Sequence, residues 1–285
     1  PADDFFSLGG DSLSLVALVE RIAQRLGVRL SLAEVLERPT LAGLTDLAAA
    51  GAAASDPVAP QTQPWLELRR EGEATLFCFP DIVGRGLAFL PLASLIQGQR
   101  VLTIDYGGPD LAAQGLAAVL ASGSREPLTL LGYSAGAAVA LAVARALEAL
   151  ARPVRRLIFL DSYRPSPLLL GSPERRQELK EWIFAVLAGQ ANYPEELERQ
   201  RARFDYCLQL AEGLAVNADI HLITAPDRQL SELFVDWSQS TTGQHLIHAG
   251  SGSHLEMLRF PFVTENHRIL ADIMDADRIG GKTCP

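Results

Sequence analysis

The chain has 285 residues, of which 48% are hydrophobic and 21% are charged, and its formal net charge at pH 7 is −9. This composition is that of an ordinary globular protein, and the negative charge argues against a nucleic-acid partner because phosphate binding needs a basic surface. No apolar run reaches the roughly 20 residues of a membrane-spanning helix, and the first residues lack the basic and apolar regions of a signal peptide. The length favours one small domain followed by one of about 200 residues. The lack of a long apolar run predicts no membrane partner.

The three cysteines are Cys78, Cys207 and Cys284, which are far apart and form no Cys-x-x-Cys pair. Their odd number argues against a disulfide framework and predicts a reducing, cytoplasmic location. No metal site is predicted.

Residues 1–50 have the pattern of a small helical domain. Apolar residues recur on one helical face, at Leu15, Leu18, Val19, Ile22 and Leu26. Gly27 is expected to end this helix, and Ser31 and Pro39-Thr40 are expected to open two more. The following stretch, 51–64, is rich in proline and poor in apolar bulk, which predicts an extended linker.

A glycine-rich motif, Phe5-Phe6-Ser7-Leu8-Gly9-Gly10-Asp11-Ser12-Leu13, precedes the first helix. Its two glycines allow a tight turn that presents Ser12 at a helix N-terminus, where the positive end of the helix favours a phosphodiester. The motif resembles the phosphopantetheine attachment site of peptidyl carrier domains, in which the serine carries a covalent 4′-phosphopantetheine. The alternative is that Ser12 only caps the helix. Carrier domains have a further helix ahead of this motif, so the resemblance implies a fragment of a longer polypeptide with a truncated carrier.

From Trp65 onwards, short strand-like segments alternate with helical stretches such as 135–150. The predicted strands are Thr75–Phe79, Val101–Asp105, Leu128–Gly132, Leu157–Asp161, Ile220–Thr224 and His245–Ala249. This alternation predicts an α/β fold, in which helices cover both faces of a parallel sheet.

The charged stretch 165–216 interrupts that alternation, because it holds two predicted helices, Glu174–Leu187 and Glu195–Ala211, and no strand. An ordinary crossover helix needs far fewer residues. The stretch is therefore interpreted as an insertion over one end of the sheet.

The segment Leu130-Leu131-Gly132-Tyr133-Ser134-Ala135-Gly136 is a strand that runs through Gly-x-Ser-x-Gly into a helix. The nucleophile elbow of α/β-hydrolases requires this context, because the sharp turn leaves room only for glycine two residues before and after the serine. Ser134 is the predicted nucleophile, and the Ala135 amide at the helix start can donate to an oxyanion. A glycine-rich turn with an incidental serine is the alternative.

A serine nucleophile needs a base and an acid that orients the base, and in this fold they follow in the order Ser, Asp, His. Asp161 ends the strand after the serine, at the sheet edge where such groups collect, and it is the preferred acid. Asp227 follows the strand Ile220–Thr224 and is the rival, since many other hydrolases use that position. Asp105 also ends a strand but precedes the serine.

Five histidines compete for the role of base. His254 is preferred, because it stands in a flexible glycine- and serine-rich loop after the last strand, which can swing an imidazole over the elbow. The others lie within predicted strands or the last helix, where a core or surface role is expected; they are His221, His245, His248 and His267.

The second amide of an oxyanion hole is expected in the loop that follows Phe77-Cys78-Phe79-Pro80. Pro80 has no amide hydrogen to donate, so Ile82 is the candidate. A plain turn at the exit of the strand is the alternative.

Residues from about 65 to 275 resemble the type I thioesterase domains that end non-ribosomal peptide synthetases, and within them the surfactin-synthetase type, which macrocyclises its product. The shared motifs are Phe-Cys-Phe-Pro, Gly-Tyr-Ser-Ala-Gly, Leu-Asp-Ser-Tyr, Trp237 with Thr241-Thr242-Gly243, and Gly-Ser-His-Leu-Glu-Met-Leu. The resemblance implies an α/β-hydrolase domain over 65–285, supports Asp161 over Asp227, and implies that 165–216 is a mobile lid.

The carrier and hydrolase motifs together imply an enzyme that releases a finished peptidyl chain from its phosphopantetheine thioester. An acyl ester on Ser134 would form and would then be attacked by water or by a nucleophile of the same peptide. The implied partners are condensation and adenylation domains upstream in the polypeptide, a phosphopantetheinyl transferase, and the peptidyl thioester itself.

Two other functions fit parts of the sequence. An editing thioesterase that clears misprimed carriers is usually a separate protein, so fusion to a carrier argues against it. A carrier or docking module with an inactive hydrolase fold is disfavoured by the intact set of Ser134, Asp161 and His254. The sequence identifies neither the peptide nor the choice between hydrolysis and cyclisation.

Overall fold

A central sheet of seven strands organises the computed structural model. The residues that it describes are 5, 8, 15, 18–19, 21–22, 25–28, 30, 35, 38–53, 64–72, 74–124, 128–188, 194–210, 215–226 and 232–280. The strands are β1 (Leu66–Arg69), β2 (Ala74–Phe79), β3 (Gln99–Thr103), β4 (Leu128–Tyr133), β5 (Val154–Leu160), β6 (Arg164–Pro165), β7 (Asp219–Thr224), β8 (Phe234–Val235) and β9 (His245–Ala249). The central sheet has the order β1-β3-β2-β4-β5-β7-β9, and β6 pairs separately with β8.

Every neighbouring pair in the central sheet is parallel except the pair at one edge, where β1 runs antiparallel to β3. Successive side chains of β2 point to opposite faces, and both sets are fully buried: Phe77 and Phe79 on one face, Leu76 and Cys78 on the other. Parallel strands are apolar in this continuous way because helices cover both faces of their sheet.

The helices are α1 (Leu41–Ala53), α2 (Leu90–Leu95), α3 (Leu111–Ala121), α4 (Gly136–Ala149), α5 (Pro167–Leu170), α6 (Pro173–Ala188), α7 (Pro194–Leu210) and α8 (Phe262–Gly280). Two 3₁₀ turns span Gly86–Phe89 and Ser238–Ser240. On one face α3 packs against α4, which lies on β4 and β5, and on the other face α2 packs against α8. In the described part of the chain, no helix is both long and apolar enough to cross a bilayer.

The predicted α/β fold is confirmed, and each of the six predicted strands is present: His245–Ala249 has the predicted ends, and the other five differ by a few residues at one end or both. The largest shifts are at β3, which ends at Thr103, and at β5, which begins at Val154. The edge strand β1 was not predicted. It has only four residues with a mixed burial pattern, so it carries little of the apolar signal on which strand prediction depends.

The insertion after β5 is helical, as predicted, and lies between β6 and β7. Its helix α7 packs against α4 of the core, and its helix α6 packs against α7. The side chains of Phe184 and Phe204 meet edge to face, with 6.2 Å between ring centroids, and join the two helices through an apolar cluster.

In the N-terminal region the structure describes one complete helix, α1, whose start agrees with the predicted Pro39-Thr40 signal. The hydroxyl of Thr40 accepts a hydrogen bond from the Gly43 amide at 3.1 Å, which is a helix cap. The helix continues to Ala53, so the first three residues of the predicted linker are helical instead. The predicted attachment residue Ser12 lies outside the described residues, as does most of the predicted linker, 54–63.

Candidate active site

Ser134 occupies the sharp turn between β4 and α4 in a left-handed backbone conformation, with φ of 54°. A Cβ added to Gly132 would lie 2.4 Å from the Ala137 Cα, and one added to Gly136 would lie 2.2 Å from the Phe79 carbonyl oxygen. Any side chain at either position would therefore collide with backbone. This packing forms the elbow predicted for Gly-x-Ser-x-Gly.

His254 and Asp161 meet beside this turn although they are 93 positions apart in sequence. The Nδ1 atom of His254 lies 2.6 Å from the Oδ2 atom of Asp161. The Asp161 side chain is fully buried, and its Oδ1 atom accepts a hydrogen bond from the Ala225 amide at 3.0 Å. The carboxylate contact at Nδ1 fixes the orientation of the imidazole, and His254 lines the same cavity as Ser134.

Of the two rival acids, the structure describes Asp105, which is not placed in this way. Asp105 accepts a hydrogen bond from the Gly86 amide at 2.7 Å and pairs with Arg85 at 3.5 Å, away from the cavity around Ser134. Asp227 lies outside the described residues. The carboxylate that contacts His254 among the described residues is therefore that of Asp161.

The remaining histidines lie elsewhere in the fold. The rings of His221 on β7 and His248 on β9 stack, with Nδ1 of the first 3.1 Å from Nε2 of the second. His245 begins β9, and His267 lies on α8. These four do not line the cavity that contains Ser134.

The two predicted oxyanion amides, those of Ile82 and Ala135, both border the same cavity as Ser134. A turn after β2 holds the segment 81–84: Asp81 Oδ1 accepts from the Val83 amide at 3.0 Å, and the Asp81 carbonyl accepts from the Gly84 amide at 3.0 Å. Within the described part of the chain, neither the Ile82 amide nor the Ala135 amide has a hydrogen-bond acceptor. Both are therefore available to an oxyanion.

A cavity of about 490 Å³ extends over Ser134 beneath the insertion. Its walls are mostly apolar, and the insertion contributes Leu179, Trp182, Ile183, Phe204, Cys207 and Leu208. Burial raises the pKa of the Cys207 thiol to about 12, so the thiol stays protonated at neutral pH and is a poor nucleophile. Ser134, Asp161 and His254 are among the polar residues that line this mostly apolar cavity.

These features match those of known proteins. A family model described as the thioesterase domain matches residues 74–270, and one described as the phosphopantetheine attachment site matches residues 1–48. The chain belongs to the thioesterase family. Its carrier part is of the type that bears a covalent 4′-phosphopantetheine.

Two relatives match nearly the whole chain within much longer proteins. Surfactin synthase subunit 3 of Bacillus subtilis (strain 168) is 29% identical over 285 residues, which cover 97% of this chain and 22% of the relative. Bacitracin synthase 3 of Bacillus licheniformis is 26% identical over 290 residues, which cover 95% of this chain and 4% of the relative. The chain thus corresponds to the carrier–thioesterase region of a non-ribosomal peptide synthetase and spans less than a quarter of these relatives.

Solved structures agree with the α/β-hydrolase fold. The thioesterase domain SrfTE, whose structure was described as the basis for cyclisation of the lipopeptide surfactin, aligns with a TM-score of 0.64 and 25% identity over 77% of this chain and 99% of that domain. The wild-type Vlm2 thioesterase domain aligns with a TM-score of 0.54 and 17% identity over 73% of this chain and 96% of that domain, a likeness of fold.

Hydrogen bonds hold the loop that contains His254 in place. The sequence had predicted a flexible loop because of its glycines and serines. The buried side chain of Asn266 on α8 accepts from the Ser251 amide at 2.8 Å and donates to the carbonyls of Ser251 and Met257 at 2.9 and 2.8 Å. The hydroxyl of Tyr133 donates to the His254 carbonyl, and the two rings stack 5.4 Å apart. The imidazole is therefore held in place before any substrate binds.

Trp237 packs beside the turn that contains Asp161. Its indole Nε1 donates to the Ser162 carbonyl at 2.9 Å, and its ring meets Phe159 edge on at 5.0 Å. Asp161 has a positive φ of 40°, and this packing holds the turn that contains it. Tyr133 and Trp237 stand in motifs shared with the family but were not predicted as site residues, and Asn266 lies in none of those motifs.

Proposed function

We propose that this thioesterase releases a peptidyl group from its carrier through an acyl ester on Ser134, with His254 as base, Asp161 as the acid and the Ile82 and Ala135 amides as the oxyanion hole. The observation that carries the proposal is the buried Asp161–His254 contact of 2.6 Å beside the strained Ser134 turn. Residues in this arrangement perform acyl transfer in unrelated folds.

In the first half-reaction, His254 Nε2 takes the Ser134 hydroxyl proton while Oγ attacks the thioester carbonyl. The negative charge that develops on the carbonyl oxygen is stabilised by the two amides, and the buried Asp161 carboxylate stabilises the imidazolium. When the tetrahedral intermediate collapses, the C–S bond breaks and His254 returns the proton to the leaving sulfur. A covalent 4′-phosphopantetheine on the proposed attachment residue Ser12 would supply that thiol.

In the second half-reaction, His254 deprotonates a nucleophile that attacks the ester, and Ser134 recovers its proton as the C–O bond breaks. The mostly apolar cavity favours an internal hydroxyl or amine of the peptide over water, since a site lined by apolar groups holds little ordered water. Macrocyclisation is therefore the favoured outcome when the peptide offers such a group, and hydrolysis when it does not. An editing role is less consistent with this arrangement, because the chain also carries a phosphopantetheine attachment site.

The partners that follow from this role are condensation and adenylation domains of the same synthetase and a phosphopantetheinyl transferase. The relatives of the chain are long synthases, which supports the proposal for the upstream domains. Peptide assembly of this kind takes place in the cytoplasm, and we propose that location for this chain.

The decisive experiment uses peptidyl N-acetylcysteamine thioesters with and without an internal hydroxyl or amine. Mass spectrometry of the products should find ring and linear acid for the first set and linear acid alone for the second. A fluorophosphonate should label Ser134 in the native protein and nothing in the Ser134→Ala variant. Intact thioester after prolonged incubation, with no label on Ser134, would mean that the hydrolase fold is inactive and that the chain is only a carrier module.

A further inference from the structure

Arg203 on α7 reaches from the insertion to the turn 81–84, which contains the candidate oxyanion amide of Ile82. Its Nη1 atom donates to the carbonyl of Ile82 at 3.2 Å and to that of Val83 at 2.8 Å, and its Nη2 atom donates to the carbonyl of Tyr106 at 2.9 Å. A Cβ on Gly84 would lie 2.9 Å from the same Nη1 atom, so the guanidinium lies directly against the loop. Arg203 therefore holds two carbonyls of the turn 81–84, those of Ile82 and Val83.

The amides of the same turn are held by Asp81. One of its carboxylate oxygens, Oδ1, accepts from the Val83 amide at 3.0 Å and from the Gly84 amide at 3.4 Å. Tyr106 completes the frame, because its amide donates to the Gly84 carbonyl at 2.9 Å and its hydroxyl donates to the Pro80 carbonyl at 3.2 Å. The carbonyls from 80 to 84 are thus each hydrogen-bonded, and their peptide planes are fixed.

The fixed planes determine where the Ile82 N–H points. That amide belongs to the peptide plane between Asp81 and Ile82, whose carbonyl accepts from the Gly84 amide, and Arg203 binds the carbonyls of the two peptide planes that follow. An oxyanion hole is effective because its donors are already oriented when charge develops, and a donor that must reorient stabilises the transition state less. Whatever fixes the turn therefore contributes to catalysis without touching the substrate.

We propose that Arg203 is a positioning residue for the oxyanion hole, so that the lid helix α7 is part of the catalytic frame. This inference rests on the proposed function, because it assigns a role to the Ile82 amide in that reaction. Arginine suits the task since its planar fork can bridge carbonyls that lie in different directions, whereas a lysine ammonium is a single point. Arg203 binds carbonyls of the turn, and Asp81 binds its amides.

The test compares Arg203→Met and Arg203→Lys with the native chain, using p-nitrophenyl butyrate as acyl donor. Removing an oxyanion donor costs about 10²- to 10³-fold in kcat, so a misoriented donor should cost less. We expect Arg203→Met to lower kcat by about 10- to 100-fold with KM within about twofold, because the loss falls on the transition state. The midpoint of the pH profile should stay where it is in Arg203→Lys, which keeps the charge but not the fork.

The matched control is Arg201→Met, on the same helix. Arg201 pairs with Glu181 and Glu198 and lies over the Phe184 ring, all within the insertion. It should leave kcat within about twofold. Equal kcat values for Arg203→Met and Arg201→Met would overturn the proposal, as would full activity of Arg203→Lys, which would show that charge alone is needed.

A second route keeps the proposal testable if Arg203→Met does not fold. Asp81→Ala should reproduce the selective loss of kcat, and Asp81→Asn should recover most of it because the amide oxygen can still accept from Val83 and Gly84. If both Asp81 variants match the native kcat, the bracing of the turn is irrelevant and the inference fails. Its failure is distinguishable from that of the proposed function, since Ser134→Ala must still be inactive in the same assay.

Discussion

At the scale of single residues, the candidate site is built around a strained turn, that of Ser134. Residues with a left-handed backbone cost of order 1–3 kcal/mol unless their surroundings impose the conformation, and Ser134 has a φ of 54°. Here the surroundings do impose it, because Gly132 and Gly136 allow the strand and helix to meet at distances that no side chain would permit. The strain places the Ser134 hydroxyl in the cavity rather than in the core.

Ser134→Ala should abolish both acyl-enzyme formation and product release. The residues of a catalytic triad act as a unit, so the loss of the nucleophile alone removes nearly all of the triad-dependent rate. Intact-protein mass spectrometry after mixing with a peptidyl thioester measures the acyl adduct, and loading of the carrier with phosphopantetheine serves as the control that must stay unchanged. Release at a near-native rate from this variant would contradict the mechanism.

Asp161→Asn should be far more damaging than Asp227→Asn. An amide at position 161 cannot stabilise the imidazolium of His254 or hold its tautomer, a role whose loss costs roughly 10⁴-fold in kcat. Single-turnover rates of the two variants decide between the acids, with Asp105→Asn as a control because Asp105 binds the Gly86 amide away from the cavity. A larger loss in Asp227→Asn would assign the acid to that position.

At the scale of elements, the insertion divides into an anchored helix and an outer one. Besides Arg203, α7 is fixed by Tyr206, whose hydroxyl contacts Asp110 Oδ1 at 2.5 Å and accepts from the Ala112 amide at 3.1 Å. Burial raises the pKa of Tyr206 to about 12, so this hydroxyl remains a donor across the neutral range. Helix α6 instead carries Trp182, which is 67% exposed.

Hydrogen exchange should therefore be uneven across the insertion. Amides of α6 should exchange faster than those of β4 and β5, because a lid must open to admit a substrate and is held by fewer buried contacts. Amides of α7 should be slower than those of α6, because α7 packs on α4 and carries the two anchors. Exchange followed by mass spectrometry resolves these helices, and equal protection of α6 and β4 would indicate a fixed scaffold instead of a lid.

Trp182→Ala should raise the share of hydrolysed product if the native enzyme cyclises. Trp182 lines the cavity from α6, and its removal opens the apolar roof to water, which then competes for the ester. The measured quantity is the ratio of ring to linear acid. Leu150→Ala is the matched control, an exposed apolar residue at the end of α4 that does not line the cavity. An unchanged ratio in Trp182→Ala, or an equal change in the control, would remove the water-excluding role.

A second substitution in the insertion, Phe204→Ala, also tests the exclusion of water from the ester, but it changes stability at the same time. Phe204 also packs on Phe184, so its loss leaves a cavity between α6 and α7 and lowers stability as well. Its product ratio should shift in the same direction as that of Trp182→Ala, and thermal unfolding should report the added destabilisation.

At the scale of the whole molecule, one chain matches both the phosphopantetheine attachment site and the thioesterase domain, so on the proposed function delivery of the substrate would be intramolecular. A tethered thioester meets the active site at an effective concentration set by the connecting segment rather than by diffusion.

Ser12 should be the single site that gains a phosphopantetheine mass when a longer polypeptide containing this chain is treated with a phosphopantetheinyl transferase. The expectation follows from the paired glycines and Ser-Leu of the motif, within the region matched by the attachment-site family model. Peptide mapping locates the added mass, and Ser12→Ala is the control that should remain unmodified. The same mass on another serine would contradict the assignment.

Features encoded by neighbouring residues could be predicted from the sequence. Gly132, Ser134 and Gly136 form an elbow because turn chemistry acts within five positions, and the apolar strand segments mark the sheet because both of its faces are buried. The choice of His254 followed from its loop position after the last strand. These signals predicted the fold class, which the structure confirms, and Ser134 as the candidate nucleophile.

Features formed by contacts between distant residues required the tertiary structure. The sequence alone left Asp161, Asp227 and Asp105 as candidate acids, and the geometry of a pair 93 positions apart brings Asp161 to His254. Arg203 contacts a loop 121 positions earlier, and such a contact leaves no mark in local periodicity or composition. Side-chain hydrogen bonds depend on where the chain brings two groups together, so only the folded molecule decides which of its polar residues support the site.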